Sequence, residues 1–285
     1  MADLSLLYGL GVTRSGSTWL HAALRAHPQV HLRAVKEAHW FDSLEYARMD
    51  KHLDNLRAKR THIAARDPSD ERVTALSGLI AALENGATHQ EYLGFLQAEA
   101  PEGTRVLGDI TPAYATLPEM RLRQMQTVGL PARFLIVLRD PFARLVSHIQ
   151  FIAARKLRKP SERLAEATRT LRQFLAGRHD GLALRSDYAA MFARLDAAIA
   201  PANLLVLFFE RLFQPETLHR LTDWLGLDRV GTDMPSQTNT SPSLPLDDGL
   251  LAQAHTRLAP QYAFARARFG AELPADWRAP QWQEV

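Results

Sequence analysis

The chain has 285 residues and no cysteine. This excludes a disulfide framework and a thiolate metal site. It also lacks any run near the roughly 20 apolar residues that a membrane span requires. The opening "MADLSLLYGL" carries neither a basic leader nor a small-residue cleavage site, so we expect no signal peptide and a cytoplasmic location. No sign of charge dominates: 34 Lys and Arg face 31 Asp and Glu, a net charge of +3. That balance admits an anionic ligand but lacks the dense basic stripe of a nucleic-acid surface. No H-E-x-x-H pair occurs, which leaves a zinc site on His39 weak. One further absence is local. Residues 9–18 read "GLGVTRSGST", close to the phosphate loop G-x-x-x-x-G-K-[ST]. Gly11, Gly16 and Thr18 are in place, but Ser17 stands where the lysine belongs.

Short apolar runs alternate with helical patterns along the rest of the chain. Strands are expected at residues 4–9, 30–32, 105–110, 133–138 and 203–209. Helices are expected at 17–25, 118–127, 141–155, 185–200 and 215–225, with a last one over 247–269. "RFLIVL" and "NLLVLFF" are apolar throughout, as strands covered on both faces should be. The alternation predicts a three-layer α/β/α fold around a central, mostly parallel sheet of about five strands. Such sheets bind ligands at the carboxyl ends of their strands. Residues 44–100 interrupt the rhythm as a charged helical insertion, and 231–285 form a Pro/Ser/Thr-rich loop followed by a helix. No repeat and no interdomain linker is evident, so a single domain over 1–285 is expected.

Three stretches carry chemistry. In the first, Gly11 and Gly16 let the backbone approach an anion, and the helix from Ser17 aims free N–H groups at it. Neither feature needs a lysine, and Arg14 is the nearest fixed cation. The plainer reading is a strand–turn–helix with incidental glycines. In the second, "RFLIVLRDPFARLVSH", Arg139 ends a buried strand and Asp140-Pro141 starts a helix as N-cap and first residue. Arg139 and Ser147, two turns in, are suited donors to a second phosphate; the alternative is an arginine with a structural carboxylate and an ordinary helix serine. In the third, "KEAHWFD", Glu37, His39 and Asp42 sit among Trp40 and Phe41. A carboxylate beside apolar rings should have a raised pKa, which suits a general base. A loop of locally satisfied charges is the alternative there.

Together, the lysine-free loop, the R-D-P-x-x-R-x-x-S run and K-E-x-H-W-F-D resemble the sulfotransferases that use 3′-phosphoadenosine 5′-phosphosulfate (PAPS), most nearly the heparan-sulfate-type branch and its bacterial relatives. The resemblance covers about residues 5–230. It implies that Arg14, Ser15, Gly16, Ser17, Thr18 and Trp19 hold the 5′-phosphosulfate, with Arg14 in place of the family's loop lysine, which steadies the bridging oxygen as the sulfuryl group leaves. Arg139 and Ser147 would grip the 3′-phosphate. Glu37 would be the base that deprotonates a hydroxyl or amine acceptor, His39 would orient the acceptor or assist the proton transfer, Asp42 would stand with them on the acceptor side, and 3′-phosphoadenosine 5′-phosphate (PAP) would be the product. No metal is required, because a sulfuryl group carries less charge than a γ-phosphate. "LGDITPAYA" departs from the family's Glu-Lys-Thr-Pro-x-Tyr: Asp109 stands for Glu and Ile110 for Lys, which argues against a heparan-type acceptor. Thr111 and Tyr114 still match and would line the acceptor side. "SQTNTSPS" only vaguely echoes the loop that closes over the nucleotide, and Glu210 reads as structural.

The acceptor stays open among small molecules, lipid headgroups, saccharides and peptide tyrosines. The cations Arg48, Lys51, Arg57, Lys59, Arg60 and Arg66 read as a solvated helix face with i,i+4 pairs, or else as a lid over an anionic acceptor. The competing activity is an ATP-dependent phosphotransferase, which would need Asp109 to hold Mg²⁺. A non-catalytic nucleotide or nucleic-acid module is a third reading, disfavoured by the mild charge.

Overall fold

The computed structural model describes residues 4–229 and 244–277. Five strands form one sheet. β1 (Ser5–Gly11) is central, β2 (Val30–Leu32) and β5 (Leu204–Phe208) are the edges, and β3 (Val106–Ile110) and β4 (Ala132–Leu138) flank β1. The order is β2-β3-β1-β4-β5, and every pairing is parallel. The chain leaves β1 toward one edge and later crosses to the other side for β4. The resulting crevice lies at the carboxyl ends of β1 and β4, where such sheets hold ligands.

Both faces of the sheet are covered, so the strands are apolar at successive positions. Leu6, Tyr8 and Leu10 face one layer with Phe134, Ile136 and Leu138. Leu7 faces the other with Leu135, Val137, Leu205 and Leu207. The second layer is closed by α1 (Ser17–Arg25) through Trp19, Leu20 and Leu24 and, later in the chain, by the helix Pro215–Leu225 through Leu221 and Leu225.

The stretch after β2 holds α2 (Trp40–Glu45), α3 (Met49–Ala64), α4 (Glu71–Glu84) and α5 (His89–Gln97). This is core rather than a detachable insertion. Trp40, Phe41, Leu76, Leu79, Tyr92 and Phe95 are buried in the layer over Tyr8. Burial of each such side chain contributes about 1.5–3 kcal/mol. α3 buries Leu53, Leu56 and Ile63 and keeps Lys51, Arg57 and Lys59 in solvent. Its ion pairs are not the expected i,i+4 type: Arg57 reaches Asp54, three residues back, and Glu84 on α4.

After β3, a 3₁₀ turn at Pro112–Thr116 leads to α6 (Glu119–Met125). α7 (Pro141–Lys156) follows β4, started by Asp140, whose side chain accepts from Ala143 N at 2.8 Å. α8 (Pro160–Leu175) packs on α7 and has no counterpart in the sequence reading. The helix expected at 185–200 is two: α9 (Asp180–Ser186) and α10 (Tyr188–Ala198). Asp187 breaks them by turning its carboxylate to Ala190 N, which caps α10. α11 is the Pro215–Leu225 helix. The last helix is also divided, into α12 (Asp248–Arg257) and α13 (Ala259–Phe269), because Pro260 cannot continue α12. Among the described residues no helix is long and apolar enough to cross a membrane.

Candidate active site

The loop between β1 and α1 is shaped by two glycines with positive φ. Gly11 (φ 114°) lies against Pro112, whose carbonyl oxygen would sit 2.7 Å from any Cβ there. Gly16 (φ 80°) is pressed on Leu212, 2.5 Å from a Cβ, and on Phe209. Both are therefore demanded by close packing within the protein, beyond any approach of an anion. No side chain caps α1, so its first-turn N–H groups are left to whatever lies in the loop. Ser17 and Thr18 open that helix. Ser15 is buried with its hydroxyl unpartnered, and Trp19 packs edge-on against Phe213 at 5.1 Å.

Arg14 is the hub. Its backbone is left-handed at φ 73°. Its Nε donates to Ser147 Oγ on α7 at 3.1 Å, and its guanidinium covers the Phe151 ring at 4.7 Å. Arg139 Nη1 donates to the Arg14 carbonyl at 2.9 Å. Arg14, Arg139 and Ser147 are thus brought together at the tips of β1 and β4. Arg139 also lies over Phe209 at 4.4 Å. A 340 Å³ cavity beside it is lined by Asp140, Ala143, Phe209, Glu210, Phe213 and Asp276. Its walls are two aromatic rings, Phe209 and Phe213, and three carboxylates, Asp140, Glu210 and Asp276. Glu210 accepts from Asp140 N at 2.9 Å, which ties the β5 turn to the start of α7. Burial raises its pKa.

On the far side of the loop stands the Glu37 cluster. Among the described residues, six non-glycine residues have positive φ, and three of them are Arg14, Glu37 (65°) and His39 (51°). Each such residue costs about 1–3 kcal/mol, and such strain gathers at functional sites. His39 Nδ1 lies 2.9 Å from Asp42 Oδ2, and its Nε2 lies 3.4 Å from Glu37 Oε2. Burial would lower the His39 pKa, but the bonds to Asp42 and Glu37 outweigh it and lift it to about 10. Glu37 also departs from expectation. Burial pushes its carboxyl up, yet the hydrogen bonds and charges of His39 and Lys36 hold it down at about 2. The apolar rings of "KEAHWFD" point away into the core, and two cations do the tuning.

Lys36 is the residue the sequence reading passed over. Its Nζ lies 2.5 Å from Glu37 Oε1 and 3.3 Å from Thr18 Oγ1 on α1. A lysine therefore does reach the start of α1, from the turn after β2. Its place at the head of the quoted motif was the available signal.

Thr111 and Tyr114 do not reach this surface; both are fully buried. Asp109 accepts from Thr111 Oγ1 at 2.6 Å, Tyr114 OH at 2.7 Å and Tyr92 OH at 2.8 Å. Tyr114 OH in turn accepts from Trp40 N at 3.0 Å. This network fastens β3 to α2 and α5 and so holds the Glu37 turn from behind. It also occupies Asp109, which is then not placed to hold Mg²⁺ for a phosphotransferase. The "SQTNTSPS" segment lies outside the described residues.

A family model described as the sulfotransferase family matches residues 7–230. The chain belongs to the sulfotransferase family. The sulfotransferase also matches solved structures in fold. One is a sulfotransferase from Alicyclobacillus acidocaldarius, 19% identical, covering 98% of this chain and 100% of that one, with a TM-score of 0.61. Another is the sulfotransferase domain of the Synechococcus PCC 7002 olefin synthase, 14% identical, covering 92% and 94%, with a TM-score of 0.51. No curated protein sequence matches this sulfotransferase.

Proposed function

We propose that this sulfotransferase moves the sulfuryl group of PAPS to a hydroxyl or amine of its acceptor, with Glu37 as base and Lys36 as the cation beside the transferred group. The observation that carries the reading is the meeting of three contacts on one loop. Arg139 bonds the Arg14 carbonyl, Arg14 bonds Ser147, and Lys36 bonds Thr18. The loop thus joins a cation pair suited to the 3′-phosphate with a cation suited to the sulfuryl end. The uncapped N-terminus of α1 and the cavity walled by Phe209 and Phe213 suit the phosphosulfate and the adenine.

Arg14 turns toward Ser147 and Phe151, so the task of steadying the leaving oxygen passes largely to Lys36 and the helix N–H groups. While Lys36 and His39 both hold Glu37, its carboxylate is a weak base. An anion arriving at the start of α1 draws Lys36 away from Glu37. Loss of that hydrogen bond and charge raises the Glu37 pKa. Donor binding thereby prepares the base. The acceptor oxygen or nitrogen then bonds to sulfur as the bond from sulfur to the phosphate oxygen breaks. Its proton passes to Glu37, and PAP leaves.

The test is PAP release from PAPS, with a pooled mixture of phenols, sugars and amines as acceptors. Glu37→Gln should cut release by about 10²–10⁴-fold and leave the Kd for PAP within about two-fold. Equal loss of PAP affinity would remove Glu37 from the role of base.

A further inference from the structure

Arg139 depends on the corner that carries it, where β4 ends and α7 begins. Two tyrosines from helices far along the chain hold that corner. Tyr188, the first residue of α10, is fully buried, and its hydroxyl donates to the Arg139 carbonyl at 2.8 Å. Tyr262, on α13 and 6% exposed, donates to Asp140 Oδ2 at 2.7 Å. Its hydroxyl oxygen also accepts from Phe142 N at 3.4 Å. Burial raises the pKa of both phenols, so each stays a donor. The two helices are joined in turn. Gln261 Oε1, beside Tyr262, accepts from Tyr188 N at 2.8 Å and from Ala189 N at 3.2 Å.

Both oxygens of Asp140 are thereby engaged: Oδ1 accepts from Ala143 N at 2.8 Å, and Oδ2 accepts from Tyr262. Asp140 and Arg139 line the same cavity. Yet among the described residues no carboxylate, that of Asp140 included, lies within 4.0 Å of the Arg139 guanidinium. A partly desolvated guanidinium without a counter-charge is matched to an incoming phosphate. Without the Tyr262 hydroxyl, Asp140 Oδ2 would be left in a buried site with no donor. Arg139, its chain neighbour on the same cavity, can supply one.

We propose that Tyr188 and Tyr262 are positioning residues for the donor. Tyr188 fixes the strand tip from which Arg139 reaches the 3′-phosphate, and Tyr262 keeps Asp140 from pairing with Arg139 in the phosphate's place. The proposal rests on the reading above that gives Arg139 to the 3′-phosphate.

Calorimetric titration of the full chain with PAP and with adenosine 5′-phosphate tests it. The two ligands differ by the 3′-phosphate, so their affinity ratio reads that contact alone. Wild type should prefer PAP by about tenfold or more. Tyr262→Phe should cut the preference by about five-fold or more, and Tyr188→Phe by a few-fold, each with adenosine 5′-phosphate affinity within about two-fold. Asp140→Asn added to Tyr262→Phe should restore most of the preference. Asparagine caps a helix about as well as aspartate but sets no charge against Arg139. A role confined to stability would lower Tm without moving the ratio and would gain nothing from the second substitution. Equal binding of the two nucleotides by wild type would overturn the 3′-phosphate assignment itself, and this proposal with it. A preference for PAP that persists in both tyrosine variants would overturn the proposal alone. So would equal loss of both nucleotides, or a double variant no better than Tyr262→Phe.

Discussion

Replacing Asp42 by asparagine tests the electrostatics of the Glu37 cluster. His39 lies between two carboxylates, which overcome the effect of burial and lift its pKa from 6.5 to about 10. A rise of that size is nominally about 5 kcal/mol at 1.36 kcal/mol per pH unit. The ring is 33% exposed, so solvent screening reduces this to about 1–2 kcal/mol. The folded pKa exceeds the unfolded one. The stabilisation is therefore complete below pH 6.5 and is lost as pH rises toward 10. Glu37 has the opposite sign: its share is present above pH 4.5 and is lost as pH falls toward 2. The contact between the two is one interaction and counts once. The cluster is thus most stabilising between these limits, from about pH 4.5 to 6.5. Between pH 6.5 and 10, wild type should lose about 2–4 °C of Tm through this cluster, and Asp42→Asn should lose less. An NMR titration of the His39 ring gives the direct reading. Wild type should titrate near pH 10, and Asp42→Asn well below that. A His39 resonance that titrates near 6.5 in wild type would refute the reasoning.

Other substitutions separate the parts of the site. Arg139→Gln should weaken PAP by about 10–100-fold in calorimetry, because a charge-assisted contact contributes about 1.5–3 kcal/mol; Ser147→Ala should cost only a few-fold. Tyr114→Phe leaves Trp40 N without its acceptor in a fully buried site, so thermal unfolding should show a loss of about 1–3 kcal/mol with PAP affinity unchanged. Gly16→Ala places a methyl group 2.5 Å from Leu212 at a φ of 80°, and a loss of PAP affinity should accompany a lower Tm.

The legible parts of the sequence were those governed by short-range rules. Continuous apolar runs marked the strands, and Asp140-Pro141 marked the start of α7 because N-cap and first-turn preferences act locally. The glycines of the loop were also visible, although their packing against Pro112 and Leu212 was not, since those partners lie about 100 and 200 residues away. The breaks at Asp187 and Pro260 were missed for a local reason: the helical period runs on through both. Tyr114 was misplaced because a motif match says nothing of burial, and only the fold turns its hydroxyl to Asp109. The low pKa of Glu37 was out of reach as well. It depends on left-handed turns at Glu37 and His39 that bring Lys36 and the imidazole to one carboxylate, and no periodicity encodes that.

The central claim is a donor site for a 3′-phosphorylated adenine nucleotide that works without a metal. Thermal shift of the purified protein tests it most directly, with PAP in EDTA compared against ATP with and without Mg²⁺. At about 100 times its Kd, PAP should add roughly 2.7 kcal/mol of stability, with no metal present and with little effect from ATP. Stabilisation by ATP and Mg²⁺ alone, with none by PAP, would contradict the account.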